Sequence, residues 1–307
     1  MPLPADIRAF YTSTGPMTDL GPHAAAVRAL PGDLEALCAI VQGDLMHHHW
    51  AGAYRVELTP AKAMQQHLRG AAATLDAVLA ANAAPLATRR EPADRAVGVC
   101  RHFSVVTAAM LRAQGVPARA RVGFGAYFER GKFVDHWVVE HWSEAEDRWV
   151  LTDAQLDGLQ REALKLDFDP LDTPRDRFII AGDAWTQCRA GKADPAKFGI
   201  FDMWGLWFIA GNVMRDFASL NNVEMLPWDC WGADPQPGET LSEAQLGLFD
   251  RLAALTLAPD ERFAELRALY AGDASLRVPP EVFNAVTQQT DRVAELVAAR
   301  LAGSSGG

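Results

Sequence analysis

The sequence predicts an α+β protein, and two observations carry the prediction. Three consecutive segments, 118–128, 132–142 and 147–153, are rich in Val, Phe, Tyr and Trp and are joined by short turns, the pattern of three antiparallel strands. On either side of them the apolar residues recur at helical spacing instead. Composition is that of an ordinary globular chain, 49% hydrophobic and 22% charged, with ample material for a core. Its 307 residues suit one large domain or two modest ones.

Taken in order, residues 22–43 read as two helical pieces broken at Pro31-Gly32. In the second, Leu34, Leu37, Cys38 and Val41 form one helix face, and Cys38 is a small buried hydrophobe within it. Residues 59–81 open with Thr59 as N-cap and Pro60 at the first helical position, and their alanine-rich body favours a helix. A polar connection leads to the segment “GVCRHFSVVTAAMLRAQGVPARARVGF”. There Phe103, Val106, Met110 and Leu111 mark a helix that ends at Gly115 and Pro117. The three strands follow. “LDFDPLDTPRDRF” reads as an ordered loop, 201–220 as a buried helix or helix pair, and 242–272 as two helices with Ser242 as N-cap and a break at Pro259. Residues from Pro279 to Leu301 read as a last helix. The chain thus divides into a mainly helical part (1–94), a core (95–160), a Trp-rich extension (161–239), a helical C-terminal part (240–302) and a flexible tail (303–307).

The formal net charge is −10 and no basic block occurs, so nucleic acid is not an expected partner. The start lacks the basic and apolar regions of a signal peptide, and no run of about 18 apolar residues predicts a membrane span. The expected compartment is the cytoplasm, where the four spaced cysteines stay reduced. The absence of a CxxC pair weakens redox and zinc-ribbon readings.

Cys100 stands where a loop turns into a helix, behind Gly98. Free N–H groups and the macrodipole at a helix start favour a thiolate. That feature needs a base and an orienting acid before it means nucleophile. If Trp142 and Asp147 close a hairpin over Ser143–Glu146, His136 lies directly opposite Asp153. Opposed side chains share a face, with Cβ atoms about 4.5–5.5 Å apart. A carboxylate there holds one imidazole nitrogen and leaves the other for the thiol. The inference assumes the register, since a one-residue slip moves the pair to opposite faces.

“GVCRHFSVVTAAMLRAQGVPARARVGF”, followed by “DHWVVEHW” and “RWVLTDAQLD”, resembles the core of the transglutaminase-like superfamily over roughly residues 95–160. The resemblance implies a papain-like α+β core, a nucleophile-bearing helix on an antiparallel sheet, with additional helices at both ends. It implies Cys100 as nucleophile, His136 as base and Asp153 as orienter, with no cofactor and no metal. The implied chemistry is thiol acyl transfer from an amide, ester or thioester donor to water or an amine, covering transamidation, amide-bond formation and amide or peptide hydrolysis. The backbone N–H of Cys100 is the first expected oxyanion donor. The family often adds a side-chain donor, for which Trp50, Gln42 and His49 are the candidates. Trp137, Trp50, His49 and His102 are the candidate substrate-binding residues.

Rival readings are weaker. His47, His48 and His49 are consecutive and do not share one face, so alone they make a poor metal site. His136 and His141 face opposite sides of a strand. His102 lies about 200° around the helix from Cys100 and suits a surface or pocket wall better than a base. Cys230 sits among tryptophans in a turn, and Cys188 lies near a helix end, so both read as structural. Asp135 is expected to be solvated on the face opposite His136. The tryptophans are first of all core, with one or two lining an acyl pocket. The alternative function is a non-catalytic binding module on the same fold.

Overall fold

The computed structural model describes residues 2–298. The expected tail, 303–307, lies outside the described residues. The fold is α+β, with two compact units. The first takes the residues up to Ala120 and Val138–Thr173; the second takes Arg121–Trp137 and the residues from Pro174 onward.

The first unit contains α1 (Ala5–Thr12), α2 (Ala24–Arg28), α3 (Leu34–Asp44), β1 (Leu45–His47), α4 (Pro60–Ala63), α5 (Ala71–Ala81), β2 (Ala96–Gly98) and α6 (Cys100–Ala113). Next come β3 (Ala118–Gly125), β4 (Phe133–Ser143), β5 (Arg148–Thr152) and α7 (Gly158–Leu164). The unit boundary falls inside β3, after Ala120, and inside β4, after Trp137. Helix α6 is the hub: α1, α2, α3 and α5 pack on it, and it is buried from Cys100 to Arg112. That exceeds the one apolar face its sequence displays. Among its polar members Arg112 is held by bonds: its Nε donates to Ala118 O and its Nη1 to Thr18 Oγ1, both at 2.8 Å. Strands β1 and β2 pair in parallel, with His47 beside Gly98.

Two expectations for this unit need correction. Residues 59–81 are not one helix. Thr59 does cap the first turn, accepting from Lys62 N at 3.3 Å, but the chain becomes extended at Leu68 (ψ 127°) and α5 starts afresh after Gly70. The Leu68 carbonyl is engaged by His102 Nε2 at 2.8 Å, so the break serves a tertiary bond. The hairpin register also differs. Ser143 pairs with Arg148, and Val139 with Thr152, so the turn is Glu144–Asp147. Asp147 has φ +52° and belongs to the turn rather than to β5. Carried one pair further, this register puts position 153 opposite Val138, not His136. Because each pairing moves by two positions, the faces are preserved, and His136 and Val138 lie on the same face of β4.

The second unit adds β6 (Phe178–Ile180), α8 (Ala181–Arg189), β7 (Phe198–Ile200), β8 (Met203–Trp204), α9 (Leu206–Leu220), β9 (Asp229–Cys230), α10 (Glu243–Leu257), α11 (Phe263–Gly272), β10 (Glu281–Asn284), β11 (Gln289–Arg292) and α12 (Ala294–Ala298). Here β3 pairs antiparallel with β6, β4 pairs in parallel with β7, and β7 turns into β8. Helices α8, α9 and α10 pack on one another. Ser242 caps α10, reciprocated by Gln245. The expected helix from 279 to 301 is instead mostly a hairpin, with β10 between β9 and β11. Along β10 exposed and buried residues alternate, with Val282 and Asn284 inside, and this period of two defeats a helical reading.

Candidate active site

Cys100 is the first residue of α6 and is 6% exposed. Its approach is held by His102. The backbone N–H of Val99 donates to His102 Nδ1 at 3.1 Å, and the N–H of His102 donates to Val99 O at 2.8 Å. The other ring nitrogen, Nε2, bonds Leu68 O. These partners require the neutral imidazole with its proton on Nε2. Burial, and after it the Arg101 charge, pushes the His102 pKa down to about 3. Gly98 is needed for this arrangement, because a Cβ there would stand 2.7 Å from His102 Cβ. The first helical N–H groups have no intrahelical acceptor, so the Cys100 N–H is of the kind that can face an anion.

Asp153 follows β5 and is 1% exposed. Its Oδ1 accepts from Gln155 N at 3.1 Å, and its own N–H donates to Pro170 O at 2.8 Å. Helix α3 backs this loop. Gln42 Nε2 donates to Ala154 O and Leu156 O at 3.2 and 3.4 Å. Burial and, second, the Asp153 charge push the Cys38 thiol up to about 12.

His136 lies on β4 in the second unit and is 2% exposed. Three aromatic rings surround it edge-on: Phe128 with centroids 4.7 Å apart, Tyr127 at 6.0 Å and Phe178 at 6.3 Å. On the strand's other face Asp135 accepts from Asn212 Nδ2 at 2.7 Å. Asp135 is therefore not solvated as expected. Burial raises its pKa, against the opposing influence of Asn212 and Arg215.

Residues 57–154 match the transglutaminase-like superfamily. That family is one of cysteine-based catalysis, and the matched segment contains Cys100, His136 and Asp153. No curated protein matches the chain. Among solved structures, one from Cytophaga hutchinsonii named “Putative Cysteine Protease” aligns at 14% identity and a TM-score of 0.36, over 58% of this chain and 46% of that one. A superposition that loose carries no argument about fold or chemistry.

Within the matched segment, His102 has no free ring nitrogen and is 1% exposed, which corrects its expected place on a pocket wall. Trp137, expected to bind substrate, is 1% exposed and belongs to the core. Gln42, a candidate oxyanion donor, has its amide N–H groups turned to two carbonyls. His49 and Trp50 precede the matched segment, in a single 3-10 turn (His48–Trp50) that follows β1. His49 is exposed and Trp50 half-buried, and β1 lies alongside β2, which leads into Cys100. His47 is held within this group, its Nδ1 accepting from His49 N at 3.2 Å. Among the described residues no group of three or more His, Cys, Asp or Glu is arranged to hold a metal ion.

Sequence reasoning missed the buried arginines of β3. In “ARARVGF” the alternation suggests arginines facing water, yet the whole strand is buried. In the first unit Arg119 Nε meets Glu140 Oε2 at 2.7 Å, with the guanidinium 3.8 Å from the Trp149 ring centroid. In the second unit Arg121 meets both carboxylate oxygens of Asp216, at 3.0 and 2.8 Å. Acid-poor local sequence gives no signal for partners so far along the chain.

Proposed function

We propose that the protein is a cysteine-dependent acyl-transfer enzyme with Cys100 as nucleophile, His136 as base and Asp153 as the group that orients the imidazole. The observation that carries this reading is Cys100 as the first residue of a buried helix, with its approach pinned by a neutral histidine. The family match supports cysteine-based catalysis over that segment. The sulfur attacks the carbonyl carbon of an amide, ester or thioester. The oxyanion takes the Cys100 N–H as a donor, with Trp50 or His49 as the candidate second donor. His136 protonates the leaving group, and the C–S thioester forms. Water or an amine then gives a proton to His136 and attacks the thioester, releasing the acyl group and the thiol.

Iodoacetamide labelling near neutral pH tests the nucleophile. Burial, above all, pushes the other thiols up, Cys38 to about 12, Cys188 to about 11 and Cys230 to about 11, so these three stay protonated and slow. Cys100 is expected to label first, and Cys100→Ala to remove both that label and turnover. Asp153→Asn is expected to lower kcat by at least about 100-fold with the fold retained. Equal labelling of all four thiols, or full turnover in Cys100→Ala, sinks the proposal and favours a binding module.

A further inference from the structure

We propose that Tyr127 and Phe128 wall the amine side of the active site and select an amine bearing an apolar aromatic group as acyl acceptor. The inference rests on His136 acting as the base. In an acyl transfer the base handles the proton of the departing or incoming amine, so whatever flanks the imidazole also flanks the group that the amine carries.

The flanking groups are aromatic. Phe128 and Tyr127 stand edge-on to His136, with centroids 4.7 and 6.0 Å away. Both rings rest on Gly125, where a Cβ would lie 2.7 Å from Phe128 Cε2 and 3.0 Å from Tyr127 Cζ. A bare backbone at 125 is therefore what lets the rings sit beside the histidine. Phe178, on the paired strand β6, is fully buried at 6.3 Å from the same imidazole. Phe124, one residue before Gly125, is also fully buried. Tyr127 and Phe128 differ from these core rings in being only half-buried, although they lie next to a histidine that is 2% exposed. Two aromatic rings part-exposed at the edge of a buried base offer apolar area that a bound aromatic group would cover, at about 25 cal/mol per Å². Water as the acceptor needs no such wall.

The step balances without a further reactant. The amine nitrogen bonds to the thioester carbonyl carbon, the C–S bond breaks, and the amine proton passes through His136 to the departing sulfur.

The test uses the full chain and 4-nitrophenyl acetate to acetylate Cys100. The acetyl-enzyme is offered 2-phenylethylamine and ethylamine at equal free-base concentration, and the two N-acetyl products are measured by mass spectrometry. Wild type is expected to favour 2-phenylethylamine by about tenfold or more, the discrimination that a few buried carbons supply. Phe128→Ala and Tyr127→Ala should bring the ratio toward one. Phe128→Leu, which keeps most of the volume, should fall between, and the wild-type ratio itself does not depend on any variant folding. A wild type that acetylates and transfers to both amines equally, or only to water, overturns the aromatic wall while leaving acyl transfer standing. So do alanine variants that keep the wild-type ratio. Product formation undiminished in Cys100→Ala overturns the underlying acyl-transfer reading, and the inference with it.

Discussion

His102 shows how one side chain can hold the backbone around a candidate site. It accepts from Val99 N, donates to Leu68 O, and fills the space that Gly98 leaves open. Burial keeps it neutral, with a folded pKa of about 3 against an ordinary 6.5. The unfolded chain therefore takes up this proton first as pH falls. The stabilising contribution is complete above about pH 6.5 and is lost progressively down to about pH 3. Urea unfolding at a series of pH values is expected to show a midpoint that drops across this window, with a shallower drop in His102→Gln. An unchanged slope in His102→Gln would mean that other groups carry the acid sensitivity. Sequence showed Cys100 at a helix start and Gly98 behind it. It could not show the staple, since the Leu68 carbonyl that fixes the ring lies 34 residues away.

At the scale of elements, the β4–β5 hairpin was legible as a hairpin but not in its register. The strand residues alternate plainly, yet a choice of turn one residue earlier or later satisfies the same alternation. The backbone of Asp147 decided it. Its φ of +52° suits Asp, Asn or Gly and resists branched residues. Asp147→Val is expected to cost about 1–2 kcal/mol, and Asp147→Gly to be neutral or mildly stabilising, both read from urea midpoints. A neutral Asp147→Val would argue against this turn. The same limit applies to 279–301, where a helical reading of mixed polar residues failed. Val282 and Asn284 face inward because β9 supplies a strand edge from Asp229–Cys230, about 50 residues away, and no local pattern reports that edge. Where one face alone was at stake, as for Leu34, Leu37, Cys38 and Val41 in α3, the periodicity was sufficient for the last three, which are buried, while Leu34 in the first turn is half-buried.

In the whole molecule, buried charge joins elements distant in sequence. Within the second unit Asp216 on α9 receives Arg121 from β3 through two bonds and also accepts the backbone N–H of Val122 at 2.9 Å. Arg121 also donates to Thr256 O at 2.8 Å, so one guanidinium connects β3, α9 and α10. The pair is 2% and 0% exposed, and removing one member strands the other charge out of water. Asp216→Ala is expected to cost about 3–5 kcal/mol, and the double replacement Arg121→Met with Asp216→Leu markedly less. Thermal or urea unfolding of the two proteins measures the difference, and equal losses would assign the effect to packing rather than to the stranded charge.

Local sequence determined that Cys100 opens a helix, that three strands follow it, and that Thr59 and Ser242 begin helices, because capping, glycine and side-chain periodicity act over a few residues. Tertiary structure alone decided the strand register past Asp147, the commitment of His102 to the backbone, the burial of Asp135 against Asn212, and the aromatic setting of His136. Each of those depends on partners from remote segments, and free energy gained by packing them overrides what the local chain prefers.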